Sequence, residues 1–96
     1  MKPGTRLKSA ADDTEVMVIR AGGGTIECGG TPMSEVKPAK VAPLDPRFSG
    51  GTLMGKRYGD ADGLYELLCV KLGKGSLSVD GVALPVKNAK PLPASD

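Results

Sequence analysis

Apolar and polar residues alternate with a period of two in several short stretches, a pattern that predicts strands rather than helices. Leu77 and Val79 alternate with Ser76 and Ser78, and Val82, Leu84 and Val86 then alternate with Ala83 and Pro85. Between the two runs stands Asp80-Gly81, a pair suited to a type I′ turn, which needs positive φ at both positions. That turn pairs Val79 with Val82 and Leu77 with Leu84, so all four side chains fall on one face of a hairpin. Pro85 has no N–H to give to a ladder, which puts its strand at a sheet edge. Gly29-Gly30 offers the same turn earlier in the chain, flanked by Ile26, Cys28 and Met33, with Pro32 weakening the return strand.

Two longer runs, Glu15-Val16-Met17-Val18-Ile19 and Glu66-Leu67-Leu68-Cys69-Val70, are apolar at consecutive positions. Strands of that kind are expected at the centre of a sheet, covered on both faces. Further short strands are expected near Thr5–Leu7 and Thr52–Met54.

These elements repeat. Moving Glu15–Met33 forward by 51 positions lays it on Glu66–Leu84 without a gap: Glu15 on Glu66, Arg20 on Lys71, Gly22 and Gly24 on Gly73 and Gly75, Ile26 on Leu77, Gly30 on Gly81. Gly4-Thr5 matches Gly51-Thr52 at an offset of 47, which implies four extra residues in the second copy, and Val36–Lys40 matches Val86–Lys90 at an offset of 50. The reading is an all-β fold, a small pseudo-twofold β-barrel or sandwich built from two tandem copies of a ~45-residue unit, since two repeats are too few for a solenoid. It is a single domain over residues 1–96, with a first copy at 4–45, a joining segment at 46–50 and a second copy at 51–96. Pro38, Pro43 and Pro46 stiffen the stretch from Ser34 to Gly50.

Composition narrows the function classes. The net charge is +2 and the lysines and arginines are dispersed; Phe48, Tyr58 and Tyr65 are all the aromatics there are. Nucleic-acid binding calls for a basic stripe with stacking aromatics, so no nucleic-acid partner is expected. No apolar run approaches a membrane span, and Met1-Lys2-Pro3-Gly4 is followed by no apolar leader, so the expected location is cytoplasmic with no membrane partner. The chain has two cysteines and no histidine; free thiols, no metal site and no cofactor are the expectation. A core short of aromatics is expected to be aliphatic.

The candidate chemistry is sparse. Cys28 beside Gly29-Gly30 has the look of an exposed nucleophile, but it falls on Val79, and Cys69 falls on Val18, both inward apolar positions, so both cysteines are expected in the core. Gly50–Arg57 has the G-x-x-x-x-G-K spacing of a phosphate loop, with Arg57 where the magnesium-binding hydroxyl belongs. Gly59-Asp60-Ala61-Asp62-Gly63 spaces two carboxylates as a cation ligand pair would, and equally as a solvated turn would. Glu66, Gly73, Gly75, Leu77 and Asp80-Gly81 echo the end of the first cupin motif, with Asp60 and Asp62 at the places of its histidines; Glu15, Gly22 and Gly24 repeat the pattern, which marks it as strand–turn–strand grammar and not membership. Glu15 and Glu66 would be an acid–base pair if both pointed inward across the pseudo-twofold axis, and otherwise sit at strand ends beside Arg20 or Lys71.

The function expected from this is a small non-catalytic binding or accessory module that self-associates, with a protein partner or a small apolar ligand as its other occupants. The alternative is a small enzyme, or an apolar-ligand barrel, with a pocket between the copies. There Glu15, Glu66, Asp60 and Asp62 are the candidate catalytic residues, and Arg57 and Tyr58 the candidate ligand-binding ones.

Overall fold

The computed structural model describes residues 3–37 and 41–86. The chain is all-β, with strands β1 (Arg6–Lys8), β2 (Glu15–Arg20), β3 (Ile26–Cys28), β4 (Thr31–Pro32), β5 (Arg57–Gly59), β6 (Glu66–Lys71), β7 (Leu77–Val79) and β8 (Val82–Ala83), and one 3-10 turn at Pro46–Phe48. They form two four-stranded antiparallel sheets, ordered β1-β2-β6-β5 and β4-β3-β7-β8.

Both hairpin turns form as the sequence dictates. Asp80 and Gly81 have φ of 50° and 82°, and Gly29 and Gly30 have φ of 64° and 87°, the left-handed pairs of a type I′ turn. Val79 pairs with Val82, and the Leu84 N–H donates to the Leu77 carbonyl at 2.9 Å, as the Met33 N–H does to that of Ile26. The one-face expectation fails at Val82, which is 69% exposed. It sits at the turn end of an outer two-residue strand, beyond the reach of the core. Ser78 departs in the opposite sense: it is fully buried, with its hydroxyl donating to Glu27 Oε1 at 3.0 Å across the β3–β7 ladder.

The closed barrel that the sequence allowed is not found. β4 and β8 are cut to two residues by Pro32 and by the approach of Pro85, because proline cannot donate to a ladder. Among the described residues, isolated bridges, Lys8 with Ser34 and Tyr58 with Val86, run from the outer strands of one sheet to the segments that follow the outer strands of the other. The strand expected at Thr52–Met54 is instead a single bridge between Thr52 and Gly73, and the strand itself is Arg57–Gly59. The loops 9–14, between β1 and β2, and 60–65, between β5 and β6, are equal in length. The matched segment Val86–Lys90 lies outside the described residues beyond Val86, as do residues 38–40.

β2 and β6 hold the centre of their sheet, with Val16 opposite Cys69 and Val18 opposite Leu67. These four side chains are buried and meet Ile26, Cys28, Leu77 and Val79 of the other sheet in one core. Burying a leucine or valine this completely stabilises the fold by about 1.5–3 kcal/mol each. Both cysteines are core residues, as their alignment with valines implied. The core is less purely aliphatic than expected, because Tyr58 and Tyr65 join it. The expectation that β2 and β6 are covered on both faces is also corrected: Met17, Ile19, Leu68 and Val70, on the outward face, stay half-buried. Among the described residues no helix is long and apolar enough to cross a membrane.

Candidate functional site

The polar residues singled out in the second half lie along β5, β6 and the turn between them. Arg57 Nη1 meets Glu66 Oε2 at 3.3 Å. Asp60 Oδ1 accepts from the Tyr65 N–H at 3.0 Å, and its carbonyl accepts from the Gly63 N–H at 3.3 Å. That carboxylate folds its own turn, and Asp62 points into solvent, which is the solvated-turn arrangement. Tyr58 is buried in the core, and its hydroxyl accepts from the Leu53 N–H at 2.9 Å. Arg57 and Glu66 are thus brought together, while Tyr58 is drawn inward and Asp62 stands apart.

Glu15 and Glu66 do not face each other. Glu15 lies opposite Lys71 and Glu66 opposite Arg20, at opposite ends of the β2–β6 ladder. At ~3.4 Å per residue, five residues of ladder separate them by roughly 17 Å, too far for mutual perturbation as a carboxylate pair. Glu15 instead meets Arg6 at 3.9 Å. The phosphate-loop spacing at 50–57 also lacks its architecture. Gly50 donates to Ser76 Oγ at 2.8 Å, Thr52 bridges Gly73, and the segment runs into a strand rather than a helix.

The most densely bonded polar group was not singled out in the sequence. Ser9 Oγ accepts from the N–H groups of Ala11 and Asp12 at 3.1 and 3.2 Å, turning loop 9–14 back on itself. Asp12 Oδ2 then accepts from Thr14 Oγ1 at 2.7 Å and from the Gly75 N–H at 2.5 Å. Its Oδ1 accepts from the Thr14 N–H at 3.3 Å and from the Cys28 thiol at 3.6 Å. Lys37 Nζ donates to the carbonyls of Ser9 and Asp12, at 2.8 and 2.5 Å, and clamps the loop from outside. Burial works against ionisation of Asp12, but the donors from Ser9, Gly75 and Thr14 outweigh it and hold the carboxyl below its ordinary range. The local signal for this cluster is Ser9-x-x-Asp12-x-Thr14, three turn-forming side chains in one loop; the long-range partner Gly75 carries none.

The two thiols lie close to this cluster and are buried. Burial first, with the Asp12 charge adding to it, pushes Cys28 up to about 11, and burial likewise raises Cys69. A thiol held protonated at neutral pH is a poor nucleophile. In the native protein both cysteines are therefore expected to resist a water-soluble disulfide reagent at neutral pH and to react fully in denaturant. Rapid native labelling of Cys28 would reverse that reading. Among the described residues no group of three or more His, Cys, Asp or Glu side chains is placed to hold a metal ion.

The outward face of the β1-β2-β6-β5 sheet also has binding character. Register places Arg6, Met17, Leu68 and Arg57 in one row across its four strands. Ile19 and Val70 extend the apolar pair along β2 and β6. The ion pairs Arg6–Glu15 and Arg57–Glu66 frame it on its two sides. The chain matches no family model, no curated protein and no solved structure.

Proposed function

We propose that this protein is a small non-catalytic binding module that pairs with a second copy of itself through the outward face of the β1-β2-β6-β5 sheet. The observation that carries the reading is the stripe Met17, Ile19, Leu68 and Val70, which stays half-buried on the outward face of the two central strands while the inward face of the same strands is fully buried. The solvent side of an antiparallel sheet is ordinarily polar, and a contiguous apolar patch on it marks an interaction surface. Each side of the stripe offers both an arginine and a glutamate. A second copy laid on it by a twofold rotation meets opposite charges, as an isologous contact requires. A chain of this size, which alone buries only about 60–65% of the surface its unfolded form exposes, gains stability from the added layer.

We infer also that the two halves are tandem copies related by a pseudo-twofold axis. In support, β5 to β8 each begin 51 residues after β1 to β4, and each sheet order reads the same once every strand is exchanged for its counterpart. The free thiols of Cys28 and Cys69 suit a reducing compartment, and the cytoplasm is the proposed location.

The test is oligomeric state by native mass spectrometry and light scattering. The wild type is expected to be dimeric, and the double variant Met17→Asp/Leu68→Asp monomeric with an intact far-UV spectrum. A wild type that stays monomeric at the highest soluble concentration, or a double variant that still dimerises, defeats the proposal.

A further inference from the structure

One corner of the same sheet carries a second kind of site. Where β1, the start of β2 and the end of β6 come together, Lys8, Asp13, Thr14, Glu15, Lys37 and Lys71 line a cleft of about 240 Å³. Three lysines and two acidic residues line it, and Glu15 is already met by Arg6 at 3.9 Å. The balance leaves three lysines against Asp13. A recess with one sign in excess focuses its field and draws in small ions of the other sign.

Two further observations separate this cleft from a chance gathering of surface lysines. Lys37 is fixed, because its Nζ donates to both Ser9 O and Asp12 O. An ammonium has three N–H donors, so one is left for a ligand on a side chain whose freedom is already spent, which lowers the entropic cost of binding. The opposite corner of the sheet, where β5, the start of β6 and the end of β2 meet, has Gly59, Leu64 and Tyr65 at the positions of Lys8, Asp13 and Thr14. Tyr65 is buried in the core, so the lysine lining does not follow from the strand layout alone.

We propose that this cleft binds a small oxyanion, the carboxylate or phosphate group of a metabolite, between Lys8, Lys37 and Lys71. The site does not depend on self-association. It is tested by titrating the isotopically labelled protein, at low ionic strength and fixed pH, with inorganic phosphate and separately with succinate. Saturable shifts are expected at the amides of Lys8, Thr14, Glu15, Lys37 and Lys71. Loss of one charge-assisted contact, in Lys8→Gln or Lys71→Gln, should weaken binding about tenfold. Lys74→Gln, an exposed lysine that does not line the cleft, should leave it unchanged. Saturation by phosphate alone assigns a phosphorylated ligand, by succinate alone a carboxylic acid, and by both a general oxyanion site. Shifts that grow linearly without saturating, that centre on Lys74 or Lys56, or that persist undiminished in Lys8→Gln and Lys71→Gln overturn the proposal. The spectrum of each variant reports its own fold.

Discussion

Gly73→Ala is expected to cost about 3–4 kcal/mol and to lower the melting temperature by roughly 15–20 °C, more than surface substitutions do. A Cβ at this position would land on the Thr14 hydroxyl and the Asp12 carboxylate and lie 2.6 Å from the Thr14 backbone nitrogen. Thr14 is 1% exposed, and a backbone atom in a short buried loop cannot swing aside as the tip of a lysine can. The methyl must push β6 and its following loop away from loop 9–14. That also strains the bridge in which the Thr52 N–H donates to the Gly73 carbonyl at 3.0 Å. Gly23→Ala is the matched control. Nothing lies within 4 Å of its added Cβ, so it should be neutral or stabilise by about 0.5 kcal/mol through the unfolded chain. Thermal melts of the two variants side by side decide the matter. A Gly73→Ala protein melting within a few degrees of wild type would mean that loop 9–14 is free to move and that the Asp12 cradle is loose.

Asp12→Ala is expected to cost about 3 kcal/mol at neutral pH, because it strands the Gly75 N–H and the Thr14 donors in a part-buried site where water replaces the carboxylate poorly. Asp12→Asn keeps one acceptor but turns an NH₂ toward donors, and should cost nearly as much. The asparagine variant also separates charge from shape. A carboxyl held below its ordinary value in the folded protein contributes stability that is fully present above the unfolded-state value near 3.9. That contribution is lost as pH falls through the lower, folded-state value. The gap between wild type and Asp12→Asn, measured by urea unfolding, should therefore be level from neutral pH down to about pH 4 and close below it. A gap that stays open at the acid end would show that shape, and not charge, holds Gly75.

These two predictions concern residues that alternation does not mark, and the reason is physical. The hairpins at Gly29-Gly30 and Asp80-Gly81 were legible because a type I′ turn and the registers beside it are local: the residues that decide them are adjacent. The same holds for the central place of β2 and β6, where an apolar run announces burial. β5 was misplaced because Arg57-Tyr58-Gly59 is too short to show a period, while the glycine–threonine match at Thr52 offered a false start. Asp12 meets Gly75 across 63 positions, and no local pattern records which loop a carboxylate will find. Glu15 and Glu66 looked like partners because their positions correspond. In the antiparallel β2–β6 pair they lie at opposite ends, and each meets an arginine of the edge strand beside it, Arg6 on β1 and Arg57 on β5. Of the candidate binding surface, the apolar residues were visible and their partial exposure was not, since a run such as Glu66–Val70 reads the same whether or not a second layer covers it.

The strand order carries one more consequence, for how the chain is made. β2 completes its sheet with β6, and β3 with β7, so neither half owns a sheet of its own. As the polypeptide leaves the ribosome, Val16, Val18, Ile26 and Cys28 have little beyond Leu7 and Met33 of the first half to pack with until Leu67 and Leu77 have been synthesised. At 5–20 residues per second, the usual pace of synthesis, that wait lasts about 3–10 s. The first half must pass through this interval as an open, sticky segment, and folding then closes both sheets almost at once from contacts far apart in the sequence.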